Sequence, residues 1–228
     1  MPRPLREASG DVVYHVLNRA NARVPIFEDA GDYKAFEQVL AKAHEQVAMR
    51  TLAYCVMPSH WHLVLWPRAD GDLSKFMHWL TTTHVHRWHA YRRTEGYGHL
   101  YQSRFKSFPV QSDGHLFTVC RYVERNALRA QLVTRAEAWR WCSLFRREFG
   151  DEGARALLSD GPMKLPEGWV EEVNLALPHE ELTTLRACIA RGRPFGNEAW
   201  VRRIARRLGL ESTLRPRGRP GRRRQQRG

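Results

Sequence analysis

In residues 11–19 (DVVYHVLNR) valine and tyrosine dominate and the run ends on polar side chains, which predicts a strand. Over 31–49 the period changes. Tyr33, Phe36, Val39, Leu40, Ala43 and Val47 recur at helical spacing, so a helix with one buried face is expected. Residues 51–57 (TLAYCVM) read as a second strand, Pro58-Ser59 as a short turn, and 60–66 (HWHLVLW) as a third strand closing a hairpin. A second long helix is predicted over 73–91, with Asp72 as its N-cap. Residues 104–111 (RFKSFPVQ) form a fourth strand, in which Pro109 requires an edge position or a bulge because it has no N–H for the ladder. Ser112 or Asp113 then caps a third helix running to about residue 132.

The order β-α-β-β-α-β predicts an α+β fold of the ferredoxin-like (RRM-like) kind, an antiparallel sheet with two helices on one face. Its open face is expected to be free to carry a site. Beyond Val133 the pattern weakens. Trp139, Trp141, Leu144 and Phe145 read as packing residues, 151–178 is irregular, 180–191 is helical, and Asn197 caps a further basic helix to Leu208. Past Leu214 the chain is Arg, Gly, Pro and Gln, too poor in apolar residues to fold alone.

Charge adds to this picture through its placement. The chain of 228 residues carries +13, and residues 183–228 hold +12 of it as 14 Arg against Glu198 and Glu211, with no Lys. Guanidinium forks match phosphate oxygens, so an Arg-only tail points to nucleic acid. No run approaches the ~18 apolar residues of a membrane helix, and the N-terminus lacks a secretory signal, so a cytoplasmic, nucleoid-associated protein is expected. Cys55, Cys120, Cys142 and Cys188 form no C-x-x-C pair and read as packing residues of a reducing compartment.

His60-Trp61-His62 is the sharpest local signal. Alternate side chains of a strand share a face, about 6.5–7 Å apart at Cα, so two imidazoles there can converge on one divalent metal. Two histidines on a wet sheet face are the plainer alternative. In the third helix Leu116, Val119, Cys120, Val123, Ala127 and Ala130 make an apolar stripe, flanked by Tyr122, Asn126 and Arg129 at i, i+4 and i+7. A Tyr, an amide oxygen and an Arg in line would supply a nucleophile, a third metal ligand and a phosphate clamp; a helix-edge tyrosine packing on its neighbours is the alternative. A phenol, with a pKa of about 10, attacks usefully when a metal polarises its electrophile, as in phosphodiester cleavage.

Five ordered segments, YHVLNR (14–19), YCVMPSHWHLVLWP (54–67), GHLYQSRFKSFPV (98–110), YVERNALRAQLV (122–133) and GRPFGNEAW (192–200), resemble REP-associated tyrosine transposases, relatives of the single-tyrosine insertion-sequence transposases with a His-hydrophobic-His metal motif. The resemblance runs from about residue 10 to 220. It implies that His60 and His62 bind the metal, Mg²⁺ or Mn²⁺, and that Tyr122 is the nucleophile forming a 5′-phosphotyrosine. It also places Asn126 at the third ligand position, where insertion-sequence relatives often carry Gln. The implied partner is single-stranded DNA folded into a REP-type palindromic hairpin. A monomer is favoured by this branch, a swapped homodimer by the insertion-sequence relatives. The expected organisation is a catalytic domain over 1–133, a helical extension over 134–214 and an Arg-rich tail over 215–228.

Other candidates rest on chemistry. Arg104 and Lys106 alternate onto one strand face and, with Arg129, are expected to hold the DNA backbone. In the tail Arg215, Arg217 and Arg219 are further DNA contacts; Arg217-Gly-Arg-Pro220 is similar to an AT-hook core. His84 and His86 diverge by roughly 200° on a helix, so the group His84, His86 and His89 reads as helix surface or DNA contact rather than a metal cluster. His15 faces the site or is a satisfied core histidine. Two rivals remain open: a nucleic-acid-binding regulator without chemistry, and a metal-dependent hydrolase in which His60 and His62 activate water.

Overall fold

The computed structural model describes residues 8–96 and 98–215. The elements are β1 (Val13–Arg19), α1 (Ala30–Gln46), β2 (Met49–Met57), β3 (His60–Pro67), α2 (Asp72–Arg92), β4 (Lys106–Val110), α3 (Gly114–Glu124), α4 (Asn126–Arg129), α5 (Ser143–Phe149), α6 (Glu152–Arg155), α7 (Trp169–Asn174), α8 (His179–Arg191) and α9 (Glu198–Arg207). The sheet is antiparallel throughout, in the order β2-β3-β1-β4. With α1 and α2 on one face this is the ferredoxin-like arrangement expected from the sequence. Pro109 sits on the edge strand β4, as its missing N–H requires.

Strand alternation builds two cores. Tyr14, Val16, Tyr54, Val56, Trp61, Leu63 and Leu65 point to the side of α1 and α2, where Phe36, Leu40, Phe76 and Leu80 meet them. Val13, Ala53, Cys55, Val64, Phe108 and Val110 point to the opposite side and pack on Leu116, Val119, Cys120, Val123 and Ala127 of α3 and α4. That second face is therefore not open. The stripe on α3 covers it, and Trp169, Val173, Leu185, Cys188 and Phe195 of the C-terminal region complete the same core.

Several boundaries differ from expectation for local reasons. Gly71, in a left-handed conformation (φ 81°), is the N-cap of α2, and the Asp72 carboxylate instead accepts from the backbone N–H of Ala69. The third helix is interrupted: Arg125 (φ −81°, ψ 1°) ends α3, and α4 stops at Arg129, so Ala130 is exposed rather than part of the stripe. Asn197 caps α9 as expected, accepting from Trp200 N–H at 2.9 Å. Among the described residues no helix is long and apolar enough to cross a membrane.

The extension is bolted to α3 by one buried carboxylate. Glu124 is 0% exposed. It accepts from Ser143 Oγ at the start of α5, from Trp169 Nε1 at 2.7 Å and from the Arg147 guanidinium. A similar tie joins α1 to α5, where Glu37 accepts from Tyr54 Oη (2.7 Å) and Arg146. The four cysteines are buried and free, and burial raises the pKa of every one of these thiols, as suits packing residues.

Candidate active site

β3 brings His60 and His62 to the α3 side of the sheet, with ring centroids 5.2 Å apart. The register sets their surroundings: Arg19 lies opposite His60 and Leu17 opposite His62 on β1, with Lys106 next along from Leu17 on β4. Trp61 faces the other way into the core, where its Nε1 donates to Tyr101 Oη at 2.9 Å and fixes the strand from behind. From α3 the ring of Tyr122 reaches the pair, its centroid 5.8 Å from that of His62. One chain thus brings both imidazoles and the phenol together.

Arg129 completes the line predicted from the helix spacing. Its guanidinium lies 4.3 Å from the centre of the Tyr122 ring and donates to Asn126 Oδ1 at 2.9 Å. The Asn126 oxygen keeps a second lone pair. Its Nδ2 is buried without a hydrogen-bond partner among the described residues.

Two residues receive larger roles than the sequence suggested. His15 on β1 is fully buried, and its Nε2 lies 2.9 Å from Nδ1 of His62, with the two ring planes parallel to within 3°. Its Nδ1 has no partner among the described residues. Arg19 sits half-buried beside His60. Its signal was the Arg that ends YHVLNR, but nothing local in the sequence aligns that residue with a histidine forty-one positions on.

Burial dominates the protonation of the site. It lowers His60 to about 4, helped by the charges of Arg19 and Arg129, and lowers His15 to about 3. His62 is pushed well down by burial, then by His15 and His60. All three rings are neutral near pH 7, which leaves nitrogen lone pairs for a metal. His62 Nδ1 is engaged by His15 and His60 Nδ1 faces Ser59 Oγ at 3.3 Å, so the two Nε2 atoms are the donors that remain. A pair of neutral imidazoles on one strand face could supply two nitrogen ligands to a divalent cation. Among the described residues no group of three or more His, Cys, Asp or Glu side chains is placed to hold one by itself.

The other candidates scatter. Lys106 is exposed on the same face as His62. Arg104 precedes β4 rather than lying in it, and lines a groove on the α2 side, so the two cations do not share a face. His84 is buried, its Nδ1 2.7 Å from Tyr101 Oη, whereas His86 is exposed and His89 Nδ1 lies 2.8 Å from Thr94 Oγ1. The divergence expected on a helix holds, but His84 is a core residue and not a surface one. Arg215 is exposed and its carbonyl accepts from Arg191. Arg217 and Arg219 lie outside the described residues.

The fold has solved counterparts. A REP-associated tyrosine transposase bound to a REP hairpin is 15% identical, with 73% of this chain and 95% of that chain covered at a TM-score of 0.53. A candidate transposase from Deinococcus radiodurans R1 is 16% identical over 58% of this chain and 92% of its own, at a TM-score of 0.37. No curated protein matches. The family model described as "Transposase IS200 like" matches residues 8–126, more than half of the sequence and the whole of the sheet, His60, His62, Tyr122 and Asn126 included. The chain belongs to the IS200-like transposase family.

Proposed function

We propose that this transposase is a metal-dependent single-stranded DNA endonuclease and strand transferase acting on REP-type palindromic hairpins through a 5′-phosphotyrosine. The observation that carries the reading is the grouping of His60, His62, Tyr122, Asn126 and Arg129 at one spot. A pair of neutral imidazoles, a phenol and a guanidinium suit transfer of a phosphodiester to tyrosine. The hairpin as substrate is supported by the REP hairpin bound to the structural counterpart.

Tyr122 Oη would attack the scissile phosphorus. One bond forms between that oxygen and phosphorus, and the bond from phosphorus to the 3′ oxygen breaks. The phenol loses a proton and the departing 3′ oxygen gains one. The phosphoester energy is kept in the tyrosine linkage, so a different 3′ hydroxyl can reverse the step without ATP. A divalent ion, Mg²⁺ or Mn²⁺, bound at His60, His62 and Asn126 would neutralise and orient the non-bridging phosphate oxygens. His15 would hold His62 with Nδ1–H pointed at its own Nε2, which leaves Nε2 of His62 for the metal. Arg129 and Lys106 would grip the backbone on either side. Residues 1–133 form the catalytic unit on this reading, 134–214 support it, and the Arg-rich tail from Arg215 through Arg217 and Arg219 grips DNA. The grouping within one chain supports action as a monomer.

Incubation with hairpin DNA from the palindromic repeats of the source genome, followed by a denaturing gel, tests this. A covalent protein–DNA adduct is expected with Mn²⁺ or Mg²⁺ and none with chelator. Metal-dependent nicking without an adduct would favour a hydrolase, and binding with no nicking a regulator.

A further inference from the structure

Behind the site, on the opposite side of the sheet, lies a groove of about 470 Å³ that the chemistry above does not use. One wall is α2, which presents His78, Thr82 and His86 at successive turns; the other is the segment entering β4, with Arg104 and Phe105; Asn18 forms part of the floor. We propose that this groove binds single-stranded DNA, the unpaired segment adjoining the scissile phosphate. The proposal rests on the strand-transfer reading for its substrate class.

Three observations support it. First, position: Asn18 stands on β1 between Leu17 and Arg19, which pair with His62 and His60. The groove floor is therefore level with the histidine pair, one strand over and on the reverse face. Second, charge: Lys106 is exposed on the face that carries His62, and Arg104, two residues earlier, is exposed in the groove. Because β4 is an edge strand, these two cations mark a path for a phosphate backbone around the rim of the sheet. No Asp or Glu lines the groove. Third, shape and composition: the volume accepts a nucleotide or two and excludes a duplex, and a half-buried ring, Phe105, lies beside hydroxyl and imidazole groups. Stacking on a ring with polar contacts to phosphate and base edges is how sequence-tolerant single-strand sites are built.

The path also accounts for the split between Arg104 and Lys106. A strand lying flat on one face would need both on that face. A strand that turns around the edge needs one on each side.

The test uses the full chain and a short oligothymidylate carrying 5-iodouracil, cross-linked by light and mapped by mass spectrometry. Cross-links are expected at Phe105, His86 or Tyr101. Arg104→Ala, an exposed site with little effect on folding, should reduce the slope of log affinity against log salt by about 0.7, the loss of one single-strand phosphate contact. Phe105→Leu should weaken binding about 5-fold or more through lost stacking. Cross-links confined to other segments, or an unchanged salt slope in Arg104→Ala, overturn the groove. Equal cross-linking by the duplex form of the probe overturns the single-strand assignment. The chemistry fails separately: a chain that forms the tyrosine adduct but gives no groove cross-link contradicts only the groove, and groove cross-links without any adduct contradict only the transfer reaction.

Discussion

His15 Nε2 and His62 Nδ1 lie 2.9 Å apart between two rings that are both buried and nearly coplanar. Only one of the two nitrogens can carry the shared proton. If it sits on His62 Nδ1, the other nitrogen of His62 offers a lone pair to a metal; if it sits on His15, His62 Nε2 is protonated and cannot bind one. His15→Ala is therefore expected to weaken Mn²⁺ binding about 10- to 100-fold, the usual cost of losing such an outer partner. His15→Gln, which keeps an acceptor, should recover part of it. Mn²⁺ titration followed by electron paramagnetic resonance, on the Tyr122→Phe chain with DNA bound, reads this directly. Equal affinities for all three would make His15 a packing residue only.

Arg129 stacks on the ring of Tyr122, the proposed nucleophile, and bonds to Asn126. Arg129→Ala should slow adduct formation by roughly 100-fold, the scale of losing one charge-stabilising donor. Arg129→Lys should restore little, because a point charge replaces a planar fork that serves two partners. Single-turnover rates at saturating DNA distinguish this from a loss of affinity. A lysine variant as fast as wild type would reduce the role of Arg129 to bulk charge.

Glu124 takes three donors, Ser143 and Arg147 of α5 and Trp169 of α7, while standing two residues from Tyr122. Glu124→Ala takes the carboxylate from a partly buried guanidinium, which keeps only the Leu52 carbonyl, and leaves the Trp169 indole N–H unpaired. The expected loss is about 3–5 kcal/mol of unfolding free energy, measured by urea denaturation. A loss below about 1 kcal/mol would show that the extension holds α3 without need of this carboxylate.

Burial holds His84 at about 3 in the folded chain, against about 6.5 when unfolded. Above pH 6.5 both states are neutral and stability is complete. As pH falls below 6.5 the unfolded chain binds a proton that the folded one refuses, so stability drops, by up to 1.36 kcal/mol per pH unit for one such group. Between pH 6.5 and 5, before carboxylates titrate, the melting temperature should fall, and His84→Gln should remove its share of that fall, with further shares coming from His15, His60 and His62. An unaltered slope in the variant would contradict the assignment.

Much of this molecule could be read from its sequence because its signals are local. Two residues of spacing place His60 and His62 on one face of a strand, and four and seven residues align Tyr122, Asn126 and Arg129 on one helix flank. The structure shows them grouped even though Arg125 breaks that helix. What escaped depends on distant partners. Glu124 looks like an ordinary solvated acid until Trp169 and Arg147 arrive from later in the chain. His84 looks like its exposed neighbour His86 until Tyr101 comes to meet it. Arg104 follows the alternation of β4, but the strand begins only at Lys106, which sends Arg104 to the other side. The sheet face expected to be open is covered because the same stripe that orients Tyr122 needs an apolar partner, and Val13, Val64 and Phe108 supply it.

The identity of the nucleophile is the point on which the account depends most. It is tested by digesting the covalent protein–DNA product formed on hairpin DNA and sequencing the DNA-linked peptide by mass spectrometry. The account predicts a single modified residue, Tyr122, bearing the 5′ phosphate of the cleaved strand, and no linked peptide from Tyr122→Phe. A phosphate found on another side chain, or the same linked product from Tyr122→Phe, would contradict it.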